Sequence, residues 1–363
     1  MDVVDGIEMS AIDGGLDASF EYASADPAGE GPGYGENDGL WLWDDEQSIG
    51  VHAWLGHSRA EGRECFERMT VFLPDGTLLV NAANGQPCTD ASPSGASLIV
   101  RCDEPYRRWS YSYRGPARPT SAAELRDGPI PADRAEVDLE VHAEARMLLP
   151  PWTQGGFWVS REAWLRTPAA SFTGGARFEQ LLSGTATVRI AGAPEQRFTG
   201  SGLRTHRKGV RSLGSSEDAT EAYPGHIWMD AAFPSGRAFY VMWFGGPDGK
   251  SLEGGDCFVR DGDVFHRAEV VGPPPFRTTL AGEERFAFEL TSDLGVTHIE
   301  GELVANSFET LGGRMPDWWG IQWDLAGTSA LGMNQGIARY RWDDEVASNM
   351  IERSAPIASL SHS

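Results

Sequence analysis

The stretch HIWMDAAFPSGRAFYVMWFGG, residues 226–246, consists of two apolar runs hinged on Pro234-Ser235-Gly236. Proline presets φ for the first corner of a tight turn, and glycine tolerates the positive φ that such turns often require. The flanking runs have strand length and aromatic content, so the stretch is a β-hairpin. Alternate residues of a strand share a face. His226, Trp228 and Asp230 therefore lie on one side, and Ile227, Met229 and Ala231 on the other. A face combining His, Trp and Asp makes a poor hydrophobic core. It fits a cavity wall, with a solvent-facing stripe as the competing reading.

The same grammar extends in both directions. ERMTVFLPDGTLLVNAA turns on Pro74-Asp75-Gly76, and WLWDDEQ, SIGVHAWLGH, GASLIVRCDEP, RRWSYSYRGPARP and AEVDLEVHAEARMLL are further strand-length runs. A second series holds RFEQLLSGTATVRIAG, EQRFTGSGLRTHRKG, DCFVRDGDVFHRAEVVG and QGIARYRWDDE. Helical periodicity is almost absent. Many short runs broken by turn signals predict an antiparallel sandwich or barrel. A chain of 363 residues suggests two such units. The expected division is an irregular lead-in over 1–38, a β domain over 39–165, a second over 166–350 and a tail over 351–363. LPPWTQGGFWVSREAWLRTPAASFTGG is read as the connection, with a helical turn near Ser160–Leu165. A Pro-x-Gly hairpin and an aromatic strand in each half (RRWSYSYRG and ARYRWDD) suggest a duplicated fold.

Composition narrows the partners. A formal net charge of -23 argues against nucleic acid and anionic membranes, which both need clustered Lys and Arg. No apolar run is long enough for a transmembrane helix, and MDVVDGIEMSAIDGG lacks the regions of a secretory signal. Cys65, Cys88, Cys102 and Cys257 show no C-x-x-C pairing and are expected to be free thiols in a reducing cytoplasm. The eight histidines form no metal-binding motif. There is no phosphate-cradling glycine loop and no nucleophile elbow, so no metal or cofactor is expected. Oligomeric state is not encoded legibly. Thirteen tryptophans point either to sheet cores or to an aromatic pocket. Trp318, Trp319 and Trp323, in PDWWGIQWDL, are pocket wall or core packing.

In this acidic chain GSGLRTHRKG, residues 200–209, gathers Arg204, Arg207 and Lys208 around His206. Alternation places Arg204, His206 and Lys208 on one face. The stretch is either a solvated turn or a histidine held among cations, which lower its pKa.

Taken together, RFEQLLSGTATVRIAGAPEQRFTGSGLRTHRKGVRS and HIWMDAAFPSGRAFYV resemble the core of the carotenoid 1,2-hydratase and AttH-like proteins. The family pattern has an E-Q strand, matched by Glu179-Gln180. It continues with G-x-G-x-R-D-H-x-W-G-x-R, matched over Gly200–Arg211, and a strand carrying D-A before a glycine turn. The resemblance spans about 38–345. It implies an all-β fold of two tandem lipocalin-like, calycin-type domains, and acid-initiated chemistry on isoprenoid double bonds or cyclisation of apolar polyenes. It places His206 on the motif histidine, Asp230 on the proton-donor aspartate and Trp228 on an aromatic position. Thr205 stands where the family has aspartate, and Lys208 where it has tryptophan.

These readings lead to a cofactor-independent acid–base enzyme acting on a hydrophobic small molecule, by hydration, dehydration or cyclisation. Asp230, His206 and Trp228 are its expected catalytic residues. Lys208, His226, Trp243, Trp318, Trp323, Glu179 and Gln180 are expected to contact substrate. Two alternatives stay open: a hydrophobic-ligand carrier without chemistry, and a shape-driven pericyclic cyclase. A contact between Lys208 and Asp230 would ionise the aspartate and decide against the acid mechanism.

Overall fold

The computed structural model describes residues 3–4, 7–8, 16–22, 34–58, 64–87, 95–158, 161–167, 170, 175–210, 225–245, 251–311, 319–326, 328 and 330–360. Trp318, an expected substrate contact, lies outside them. The chain is all-β, in two sheets that each close into an eight-stranded barrel.

The first barrel runs through β3 (Tyr34–Asp44), β4 (Ile49–Ser58), β5 (Glu64–Phe72), β6 (Thr77–Pro87), β8 (Arg108–Ser121), β9 (Val137–Met147), β11 (Ala176–Ile190) and β12 (Gln196–Val210). It closes where β12 pairs with β3. β7 (Leu98–Glu104) pairs with β8, and β10 (Trp152–Thr153) with β11. The second barrel is a meander of β13 (His226–Ala232), β14 (Ala238–Gly245), β15 (Ser251–Asp261), β16 (Val264–Val271), β17 (Arg285–Ser292), β18 (Gly295–Leu311), β19 (Leu331–Trp342) and β20 (Glu345–Pro356). It closes where β20 pairs with β13. Two short strands, β1 (Val3–Val4) and β2 (Ile7–Glu8), extend β16. Both expected Pro-x-Gly hairpins form, as β5–β6 and β13–β14.

The sheets divide the chain at a different place from the expected 165/166. β11 and β12 complete the first barrel, so the break between sheets falls between Val210 and His226. The stretch 149–175 is therefore an excursion within the first unit. Its short helix, Arg161–Leu165, falls where the helical turn is expected. The lead-in ends earlier than expected too, because Tyr34–Asp38 already belongs to β3.

Alternation sorts the core into three clusters. Leu40, Leu42, Val51, Ala53 and Leu182 fill the first barrel. Ile227, Met229, Phe239, Val241, Trp243 and Ile351 fill the second. The outward faces of the same strands carry Trp41, Trp43, Leu203, Trp228, Tyr240 and Met242, which join a third cluster between the barrels. Much of the tryptophan content serves that seam. Trp152, Phe157, Trp158 and Trp164 from the excursion pack into it, and buried Asp256 pins the excursion by accepting from the Gly155 and Phe157 amides at 2.6 and 2.8 Å.

The fold is duplicated, but the equivalent strands differ from those the sequence suggests. The two hairpins are the third and fourth strands of one barrel and the first and second of the other. RRWSYSYRG lies on a fifth strand, ARYRWDD on a seventh. Cys65 is disulfide-bonded, with its partner outside the described residues, whereas Cys102 and Cys257 are free. The expectation of four free thiols is corrected accordingly. No helix among the described residues is long and apolar enough to cross a membrane.

Candidate active site between the barrels

Asp230 sits mid-strand on β13, directly opposite Tyr240 on β14. Its side chain faces the seam, as the alternation predicts, and the residue is fully buried. Neither carboxylate oxygen has a hydrogen-bond partner. Burial pushes its pKa well above the usual carboxylate range, and the negative charge of Glu179 adds to the effect. Glu179 reaches the seam from β11 of the other barrel and is also fully buried. Burial raises its pKa to about 7, against the pull of Arg177, whose Nε lies 3.3 Å from its Oε1.

The surroundings are aromatic. Trp228 shares the face of Asp230, and its ring meets Trp41 edge-on at 5.3 Å. The Arg177 guanidinium lies over Trp228 at 4.5 Å. Tyr240 packs against Trp152 at 5.3 Å and stacks on Phe258 at 5.6 Å. The Tyr240 hydroxyl and the Trp152 indole are turned toward the Glu179 carboxyl and help to restrain its pKa, whereas the indole nitrogens of Trp41 and Trp228 are buried without partners. Native interiors leave few such atoms unpaired. Two such indoles beside the buried carboxyls of Asp230 and Glu179 make this the candidate site.

Two more buried groups edge this space. His52, on β4, stacks on Trp41 at 4.2 Å. Burial, with Arg68 nearby, lowers its pKa to about 3, so it is neutral. His226 is held between Glu352 at Nε2, 2.8 Å, and Ser354 at Nδ1, 2.6 Å. Burial pushes the Glu352 carboxyl up, but the bond and charge of His226, together with Gln335 and Arg177, outweigh it and leave the carboxyl below its ordinary range.

The expected site residues divide between two places. Asp230, Trp228, Glu179 and His226 lie at the seam. His206 does not join them. It faces the interior of the first barrel with Arg204, whose Nη2 is 3.0 Å from its Nδ1, and with Glu21 and Asp38 at 3.6 and 3.4 Å. Gln180 points inward as well and donates to the Leu149 and Tyr106 carbonyls. Lys208 donates to the Tyr22 carbonyl and lies over the Phe20 ring at 5.2 Å, so the Lys208–Asp230 contact that would ionise the acid is not made. Trp243 belongs to the second barrel's core, on the face of β14 opposite Tyr240. Trp323 braces the barrels, its indole donating to the Arg126 carbonyl at 3.0 Å.

Thr205 behaves differently from its neighbours in the motif. It faces the seam and accepts from Arg177 Nε at 2.9 Å, steadying the cation beside Glu179. Sequence reasoning passed over Trp41, His52, Trp152, Arg177 and Tyr240. For Tyr240 a signal existed: the Pro234-Ser235-Gly236 turn fixes a register that sets it opposite Asp230.

A family model described as a domain of unknown function, DUF7064, matches residues 20–357. The chain superposes on the crystal structure of an AttH-assigned protein from Nitrosomonas europaea with a TM-score of 0.53 and 13% identity, covering 97% of this chain and 98% of that one. It superposes on the crystal structure of CghA with a TM-score of 0.50 and 10% identity, covering 91% and 90%. At these identities the likeness establishes the expected AttH-like fold. No curated protein gives a significant match.

Proposed function

The chain belongs to the DUF7064 family, and from that premise we propose that it is an acid–base enzyme acting on an apolar, isoprenoid or polycyclic substrate held between its barrels. The observation that carries this reading is Asp230, a fully buried carboxyl with no hydrogen-bond partner, on the same strand face as Trp228 and near enough to Glu179 to feel its charge. Such an acid stays protonated at neutral pH and can deliver its proton to an alkene, epoxide or hydroxyl. Trp228 and Trp41 offer π faces to the positive charge that then develops. Glu179, titrating near 7, takes the closing proton, either from carbon or from an attacking water. The aromatic walls keep bulk water from quenching the cation early. Hydration, dehydration and cyclisation share these steps. Neither metal nor organic cofactor is invoked.

Asp230→Asn keeps the shape of the site and removes the proton. The test incubates wild type and variant with apolar metabolite extracts and follows conversion by mass spectrometry. Wild type is expected to convert a bound metabolite, and the variant to retain it while turnover falls by at least about a hundredfold. Equal conversion by both would defeat the acid mechanism and favour shape-driven cyclisation. Binding without conversion by wild type would identify a carrier.

A further inference from the structure

Arg177 and Glu179 project from one face of β11 toward the seam, and Thr205 stands directly opposite Glu179 on β12. The Arg177 side chain is fixed from two sides. Its guanidinium lies over the Trp228 ring of the other barrel at 4.5 Å, and its Nε donates to Thr205 Oγ1 at 2.9 Å. Glu179 Oε1 lies 3.3 Å from the same nitrogen, yet neither of its oxygens completes a hydrogen bond. One N–H thus has two acceptors within reach, and the neutral hydroxyl holds it.

The threonine is locked in that role by its own shape. A β-branched side chain has restricted χ1 choices, and here the methyl occupies the hollow over Gly39, the residue opposite it on β3. A Cβ at that glycine would fall 2.9 Å from the methyl carbon. With the methyl seated there, the hydroxyl is left facing Arg177.

The division matters because charge and hydrogen bonding act separately on a carboxyl. A nearby cation favours the ionised form, and an N–H bonded to that form favours it further. Glu179 receives only the first of these from Arg177. Its other neighbours are Trp152, opposite it on β10, Tyr240 on β14, and the carboxyls of Asp230 on β13 and Asp256 on β15. Trp152 and Tyr240 help to restrain its pKa, while the Asp256 charge raises it. At Asp230, burial and the charge of Glu179 both act to keep the proton in place.

We infer that Thr205 is a positioning residue for the base: by holding the Arg177 Nε–H, it leaves Glu179 the cation's charge without its hydrogen bond, free to take up and release a proton while Asp230 keeps its own. This rests on the acid–base reading of the seam. A hydrogen-bonded pair with arginine would lock Glu179 as a weakly basic carboxylate. Without the cation, Glu179 would become a second protonated acid. A base works best between those extremes.

Two substitutions test this by moving one group in opposite directions. Infrared spectroscopy follows the protonated carboxyl band of Glu179 in the full-length protein, assigned by its absence from Glu179→Gln. The wild-type band is expected to titrate at about 7. Thr205→Val frees the N–H for Glu179 and should lower the midpoint by about one pH unit, whereas Arg177→Met removes the cation and should raise it by at least about one. Thr205→Ser, which keeps the hydroxyl, should stay close to wild type. A threonine that only packs would leave the midpoint where it is when replaced by valine. An unmoved or raised midpoint in Thr205→Val would overturn the inference, and that variant decides alone if Arg177→Met does not fold. The infrared reading needs no substrate. If Asp230→Asn converts metabolite as fast as wild type while both midpoints move as expected, the acid mechanism fails and Thr205 still sets the ionisation of Glu179.

Discussion

A carboxyl that burial has raised to a pKa of about 7, as at Glu179, is half ionised at neutral pH, and stability follows its titration. The folded state holds this proton more tightly than the unfolded chain, whose carboxyl titrates near 4.5. The stability it contributes is fully present below that value and is lost as pH rises through about 7. A shift of this size corresponds to about 3 kcal/mol at 1.36 kcal/mol per unit. Glu179→Gln should therefore flatten the decline in unfolding free energy between about pH 5 and 8, as measured by urea titration. The same substitution removes the proposed closing base. The acidic limb of the kcat/KM profile, with its midpoint near 7, is expected to vanish while the remaining rate drops by about two orders of magnitude. A limb that persists in the Gln variant would assign it to another group.

Single strands and turns were largely legible, because period-two alternation and turn chemistry act locally. Ile227, Met229 and Ala231 went to one face and Trp228 and Asp230 to the other for the reason that any strand imposes. What lay beyond that reading was which surface each face meets. Alternation shows that Asp230 and Ile227 part company, but not that Asp230 turns toward another barrel. His206 and Lys208 illustrate the same limit: their face is right, yet it looks into the first barrel and toward Tyr22. The excursion over 149–175 was hidden for a related reason. Its anchor, Asp256, lies some hundred residues along the chain, and the contact is made through the Gly155 and Phe157 amides. Gly155 has a φ of +82°, and a Cβ there would fall 2.4 Å from the Trp164 ring. Asp256→Ala strips both amides of their acceptor. It is expected to cost about 2–4 kcal/mol in chemical denaturation, since each buried donor left unmet costs about 1–3 kcal/mol. A loss below about 0.5 kcal/mol would show that the excursion is held by its aromatic rings alone.

At the scale of the whole molecule, the barrels meet through equivalent strands. Trp41 follows Leu40 on the first strand of one, Trp228 follows Ile227 on the first strand of the other, and their rings touch edge-on at 5.3 Å. The seam is thus built around a repeated position, and one step along each strand the repeats diverge: two residues beyond Trp41 stands Trp43, whereas two beyond Trp228 stands Asp230. The contact is asymmetric at this step, because the second barrel places an acid where the first places an indole. Polar ties outside the seam also link the barrels, among them Arg339 to Asp45 at 2.7 Å and Ser348 to Asp45 at 2.8 Å. If the tryptophan pair joins the barrels, the two truncations must be coupled. Trp41→Ala and Trp228→Ala should each destabilise by about 3–5 kcal/mol. The double variant should fall short of their sum by about 0.5–1.5 kcal/mol, the coupling typical of an edge-on aromatic pair. Strict additivity in the unfolding free energies would mean that each ring stabilises its own barrel only. The acids between them would then lie in a cleft free to open, and the water exclusion on which a protonated Asp230 depends would be lost.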